Sequence, residues 1–188
     1  IFGDREMVSE EIQAFCMENG YVLVSLDYRL APETSIDGII EDVRDGLHWI
    51  HREGPRLFQA DTSRLVVAGN SAGGYLTLMT GLFEPRPTAL VSYYGYGDID
   101  GDWYTQPSAD HRTDPPVTRK EADGAVRHHI PTKSSPYYDN TFHARIRYYL
   151  YLRQNGLWTR EVTGLDPKED ADELKRYSPV RHVSPAYP

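Results

Sequence analysis

The stretch "RLVVAGNSAGG", residues 64–74, constrains the fold more than any other part of this chain. A short β-branched apolar run leads straight into a lone serine among four small residues, and "YLTLMTGLF" then reads as helix to about Phe83. The chain must therefore leave a buried strand and start a helix within a very tight turn. Small residues add little packing, so their presence marks a backbone path that larger side chains would block. Such a turn strains Ser71 and lifts its hydroxyl clear of the sheet, with Gly69 and Gly73 expected to be small to avoid a clash. A helix starting at Ala72 aims free backbone N–H groups at whatever Ser71 attacks, and its dipole favours a developing oxyanion. Ser71 is thus the candidate nucleophile and Ala72 the candidate oxyanion donor, on a turn formed by Gly69, Asn70, Gly73 and Gly74. A glycine-rich turn with an incidental serine is the competing reading, which the strand–turn–helix context disfavours.

The surrounding pattern predicts an α/β protein. Val8, Ile12 and Phe15 fall at helical spacing within residues 5–19, with Gly20 as the stop. "YVLVSLD", residues 21–27, reads as a strand covered on both faces. Ile36, Ile40, Val43, Leu47 and Ile50 form a second helical stripe, closed by "EGP", and "TALVSYYG" reads as a third strand. Strands alternating with helices imply βαβ units and a parallel sheet flanked by helices. Beyond Gly97 no strand-like run occurs until Tyr177. "TRKE", residues 118–121, reads as a capping box, residues 140–155 as a helix with Phe142, Ile146, Tyr149 and Leu150 on one side, and "LDPKEDADELKRY" as a helix capped by Asp166 with Pro167 in its first turn. The expected division is a core over 1–99, a helical insertion or lid over 100–177, and a loop over 178–188.

A chain of 188 residues, 39% of them hydrophobic, can bury a real core. Its net charge of -8 argues against nucleic acid or an anionic membrane surface as partner. No apolar run approaches the roughly 20 residues that span a bilayer. A single cysteine, Cys16, excludes an internal disulfide and reads as part of the core side of the first helix.

"GNSAGG" together with "LDYRLAPE", residues 26–33, resembles the α/β-hydrolase superfamily, and most closely its hormone-sensitive-lipase-like carboxylesterase branch. Asn70 stands where that branch more often carries aspartate. The resemblance implies a partial α/β-hydrolase fold and a serine hydrolase acting on small-molecule carboxylic esters through an acyl-enzyme, with no metal or organic cofactor. It also implies the chain order serine, acid, histidine. "YSPVRHVSPAYP" matches the segment before the acid-bearing strand, so the acid and histidine are expected beyond Pro188 and the first oxyanion-hole glycines before Ile1. A peptidase or lactonase on the same fold, or a ligand-binding relative without turnover, are the alternatives.

Other candidates read more simply as structural. Asp98 and Asp100 follow the third strand, where some relatives place their acid, but loop carboxylates commonly cap turns. His111, His128, His129, His143 and His182 read as solvated or packing residues. His48 and His51 share i, i+3 spacing without a patterned third metal ligand. Asp27, Tyr28 and Arg29 read as loop-positioning residues. The tyrosines of "SYYGYGD" and of residues 137–151 fit either packing or the lining of a substrate pocket.

Overall fold

The computed structural model describes residues 1–126, 128–136 and 141–188. Helix α1 (Glu10–Glu18) is preceded by a separate 3-10 turn, Arg5–Met7, because Ser9 caps the helix by accepting from the Ile12 N–H. A serine whose hydroxyl serves the backbone starts a helix more readily than it continues one, which splits the helix expected over 5–19. No residue of α1 is buried, so the core role expected for its apolar side, Cys16 included, is not met: Cys16 is half-buried and Phe15 is 57% exposed.

Residues 21–27 form no strand. Their apolar pattern reports packing rather than pairing: Leu26 lies against Gly46, and Val24 packs against the core, while Tyr21, Val22 and Leu23 are exposed. A strand requires a ladder partner as well as apolar side chains, and none is present among the described residues.

Helix α2 (Ile36–Phe58) buries Ile36, Ile39, Ile40, Val43, Leu47 and Ile50, which include the whole predicted stripe. It runs past "EGP" rather than ending there. Pro55 forfeits one hydrogen bond, to the carbonyl four residues back. The last turn is held by the ring contact of Trp49 with Phe58 and closes on Gln59, whose N–H reaches Gly54 O.

Strand β1 (Val66–Asn70), helix α3 (Ala72–Thr80) and strand β2 (Ala89–Tyr93) form one βαβ unit. The strands are parallel, in a register running from Val66 opposite Ala89 to Asn70 opposite Tyr93. Gly69 and Ser92 face α3, whereas Val66, Val91 and Tyr93 lie on a face that stays 48%, 38% and 50% exposed. The burial expected of the "RLVVAG" strand is therefore one-sided among the described residues.

The remaining described elements are helices and 3-10 turns, the helices being α4 (Asp102–Thr105), α5 (Arg119–Asp123), α6 (Phe142–Asn155), α7 (Trp158–Thr163) and α8 (Ala171–Leu174). Thr118 and Glu121 form the expected capping box on α5. On α6 the buried side is Arg145, Tyr148 and Leu152, not the predicted Phe142, Ile146, Tyr149 and Leu150. Hydrophobic periodicity scores arginine as outward-facing, and here an arginine lies inside. The single helix predicted from Asp166 divides into a turn, in which the Asp166 carboxylate accepts from the Lys168 and Glu169 N–H groups, then α8, then a 3-10 turn, Lys175–Tyr177. One hydrophobic cluster runs from α2 and α3 through Leu152, Trp158, Val162 and Leu174, so these helices share the core of the βαβ unit. Residues 178–188 dock onto it, with Val180 N–H donating to Gly97 O and the Tyr187 hydroxyl to Leu78 O. No described helix is long and apolar enough to cross a membrane.

Candidate active site

Ser71 occupies the single residue between β1 and α3, at φ 51 and ψ -117. A non-glycine residue rarely holds a positive φ, and it persists only where the surroundings over-determine it. The surroundings here do so. Ser71 N–H donates to Tyr93 O at 3.0 Å, which ties the turn to the end of β2. Gly69 meets α3 so closely that a Cβ there would lie 2.4 Å from Gly73 O, and a Cβ on Gly74 would lie 2.8 Å from the Gly95 Cα. Gly73 differs from expectation, since a Cβ there meets nothing within 4 Å. The squeeze falls on the Gly73 backbone from the Gly69 side, so position 69 is the one that must lack a side chain.

Ser71 is exposed, and α3 begins directly behind it. The first amide of α3 to close a helical bond is that of Tyr75, which donates to Ser71 O at 3.0 Å. The amides of Ala72, Gly73 and Gly74 precede that ladder and sit at the positive end of the helix dipole. A hydroxyl beside open amides at a helix start is an arrangement that can attack a carbonyl and hold the resulting oxyanion.

The other predicted residues sit elsewhere. Asp100 accepts from Ser178 Oγ at 2.8 Å and from Arg181 at 2.6 Å. Burial pushes its carboxyl up, but these two partners outweigh burial and leave it below the ordinary value. Asp98 caps a turn through the Gly101 N–H, and burial followed by the neighbouring Asp100 charge raises its carboxyl. His48 bonds Glu84 O, His111 bonds Asp114 at 3.1 Å, and His182 bonds Lys175 O. His128, His129 and His143 are exposed, and none of the histidine hydrogen bonds reaches Ser71. His51 Nε2 is buried without a hydrogen-bond partner among the described residues, which contain no group of three or more His, Cys, Asp and Glu able to hold a metal ion.

Asp27 and Arg29 position loops, each with its own partner: Asp27 accepts from Arg5, and Arg29 grips Asp42. Between them, burial pushes the Tyr28 phenol up to about 12. Tyr75 and Tyr96 stack at 4.8 Å, and Tyr96, Tyr104 and Trp158 continue the cluster, with the Tyr75 hydroxyl donating to Tyr177 O. Tyr137 and Tyr138 lie outside the described residues. Two features near Ser71 escape sequence reasoning. Tyr94 holds φ 40 and accepts from Asn70 Nδ2 at 3.0 Å, and Gly95 touches the first turn of α3. The only sequence signal for either is a glycine just past a strand, in "YYGYG".

A family model described as alpha/beta hydrolase fold matches residues 1–147. The chain belongs to the alpha/beta-hydrolase-fold family. Among solved structures, an alpha/beta hydrolase superfamily protein from Enterococcus faecalis superimposes with a TM-score of 0.73 at 26% identity, covering 95% of this chain and 60% of that one. A protein of unknown function from Staphylococcus aureus Mu50 gives 0.71 at 22% identity, over 90% of this chain and 58% of its own, and shares the fold. Among curated proteins, the non-reducing polyketide synthase atr1 of Stereocaulon alpinum is 37% identical over 99 residues, 47% of this chain and 4% of that enzyme. The synthase stbA of Stachybotrys bisbyi is 36% identical over 109 residues, 52% of this chain and 5% of its own length. The chain therefore spans a small segment of these synthases and about three-fifths of the two solved structures.

Proposed function

We propose that this member of the hydrolase family is a serine hydrolase of the carboxylesterase type, within the hormone-sensitive-lipase-like branch, and that Ser71 is its nucleophile. The observation that carries the reading is the strained Ser71 backbone set directly before the open amides of α3. In this reaction Ser71 Oγ attacks the ester carbonyl as a histidine takes its proton. The Ala72 N–H holds the oxyanion, the tetrahedral intermediate expels the alcohol with that proton, and water cleaves the acyl-enzyme by the same route. The reading gives neither the base nor its orienting acid to the histidines described, none of whose hydrogen bonds reaches Ser71. Gly69, Asn70, Gly73 and Gly74 form the turn that presents the serine, and the helices over 100–177 form its lid. The substrate is a small-molecule ester.

The likeness to segments of non-reducing polyketide synthases favours a second reading, in which the acyl group cleaved is a polyketide product. The chemistry at Ser71 is the same, and only the acyl donor differs.

A fluorophosphonate probe tests the reading in the full-length protein. Ser71 is expected to be labelled, and Ser71→Ala to lose both labelling and hydrolysis of short aryl esters. Labelling that survives the substitution refutes the assignment. A protein that binds esters without turnover and without labelling supports the ligand-binding alternative.

A further inference from the structure

We propose that Tyr94 is a positioning residue for Ser71, acting through Asn70, a role that rests on Ser71 being the nucleophile. Two bonds of equal length bracket the serine. On its own amide, Ser71 N–H donates to Tyr93 O at 3.0 Å; one residue earlier, Asn70 Nδ2 donates to the Tyr94 phenol at 3.0 Å. Asn70 and Tyr93 are the last paired residues of β1 and β2, so both bonds cross at the point where the sheet ends and the serine emerges.

The acceptor of the second bond, Tyr94, lies in the left-handed region, at φ 40. An aromatic residue is a poor occupant of that region, where glycine or asparagine would sit at less cost. Packing does not account for the choice, since the Tyr94 side chain leaves the residue 76% exposed. Ser92 and Gly95, flanking the Tyr93–Tyr94 pair, tie this turn to α3: a Cβ on Gly95 would lie 2.4 Å from Gly74 C, and Ser92 Oγ donates to Gly74 O at 3.1 Å. Residues 92–95 are thus braced against the first turn of α3, and Tyr94 extends that brace to the residue before the nucleophile. The strain is localised where it sets the direction of one side chain. An exposed hydrogen bond adds little to global stability, so its value lies in the angle it imposes on Asn70 and hence on Ser71.

The test uses the full-length protein with an aryl ester and a fluorophosphonate. Tyr94→Phe removes the acceptor and keeps the ring; kcat and the rate of Ser71 labelling are expected to fall about 3- to 10-fold, the rate equivalent of one neutral hydrogen bond, with KM and Tm unchanged. Asn70→Ala is expected to do the same, and the double variant to fall no further than the larger single loss, since both remove one bond. Tyr94→Gly relieves the backbone strain and is expected to lose kcat while holding or raising Tm. A Tyr94→Phe protein with unaltered kcat and labelling overturns the proposal, as does additivity in the double variant. A rise in KM at constant kcat also overturns it, because it makes Tyr94 a substrate contact. If the unsubstituted protein shows no Ser71-dependent labelling, the nucleophile reading falls and this proposal falls with it. If labelling is intact and only the Tyr94 effects are missing, this proposal alone is lost.

Discussion

Adding one methyl group to each elbow glycine separates two positions that the motif treats alike. In Gly69→Ala the new carbon would lie 2.4 Å from Gly73 O, 2.5 Å from Gly73 C and 2.9 Å from Thr77 Oγ1. Ordinary van der Waals contact begins at 3.4 Å, so the closest overlap is about an ångström, and two of the three atoms are backbone. Overpacking costs about 1–3 kcal/mol when side chains can give way, and a backbone obstacle puts this case at about 3 kcal/mol or above. For a chain of this size each kcal/mol moves Tm by about 2–4 °C, so the loss is about 6–12 °C. Gly73→Ala is the control within the same turn. Its Cβ meets nothing within 4 Å, and Gly73 lies inside α3, where alanine is favoured over glycine by about 0.5–1 kcal/mol. Thermal unfolding of the two variants is therefore expected to move in opposite directions. Equal losses at both positions, or a Gly69→Ala protein as stable as its parent, would refute the steric account of the elbow.

Two further outcomes are expected. Arg145 is 1% exposed and pairs with Glu33 through two bonds of 2.9 Å while donating to the carbonyls of Ile1, Ala31 and Ala125. Removing one side of a buried pair takes from the other charge the partner it was buried with, so Arg145→Met and Glu33→Gln should each cost about 3–5 kcal/mol by denaturant unfolding, while a loss below about 1 kcal/mol would show the charges reach water. Burial raises the Tyr28 phenol from 10.0 to about 12, so the folded state keeps a proton that the unfolded chain gives up first. That stability is complete below pH 10 and is lost as pH climbs to about 12, and Tyr28→Phe should flatten the alkaline decline in unfolding free energy; an unchanged slope would exclude Tyr28 as its source.

The elbow was legible in the sequence because its constraint is local. A strand, a turn one residue wide and a helix leave so few backbone paths that small residues announce them, and β1, Ser71 and α3 lie where "RLVVAGNSAGG" puts them. The α2 stripe and the capping box at Thr118 were legible for the same reason, each being a pattern within a few turns of chain. What failed was non-local. Residues 21–27 carry strand composition, but pairing depends on a neighbour that composition does not name. Arg145 reads as surface until Glu33, 112 positions away, is brought to it. Tyr94 reads as one more tyrosine, because a positive φ beside the close approach of Gly74 and Gly95 leaves no trace at the residue that bears it.

The Arg145 contacts also bear on motion. The proposed lid over 100–177 would need some part that swings at little cost, and α6 is a poor choice for it. Its guanidinium holds the loop around Ala31 and Glu33, the backbone at Ile1 and the end of the α5 region at Ala125 together in one grip. Lifting α6 would break those bonds at once and carry the Arg145 charge away from the partners that hold it. If residues 100–177 act as the proposed lid, motion falls to segments outside that grip, and α6 stays pinned to the rest of the fold.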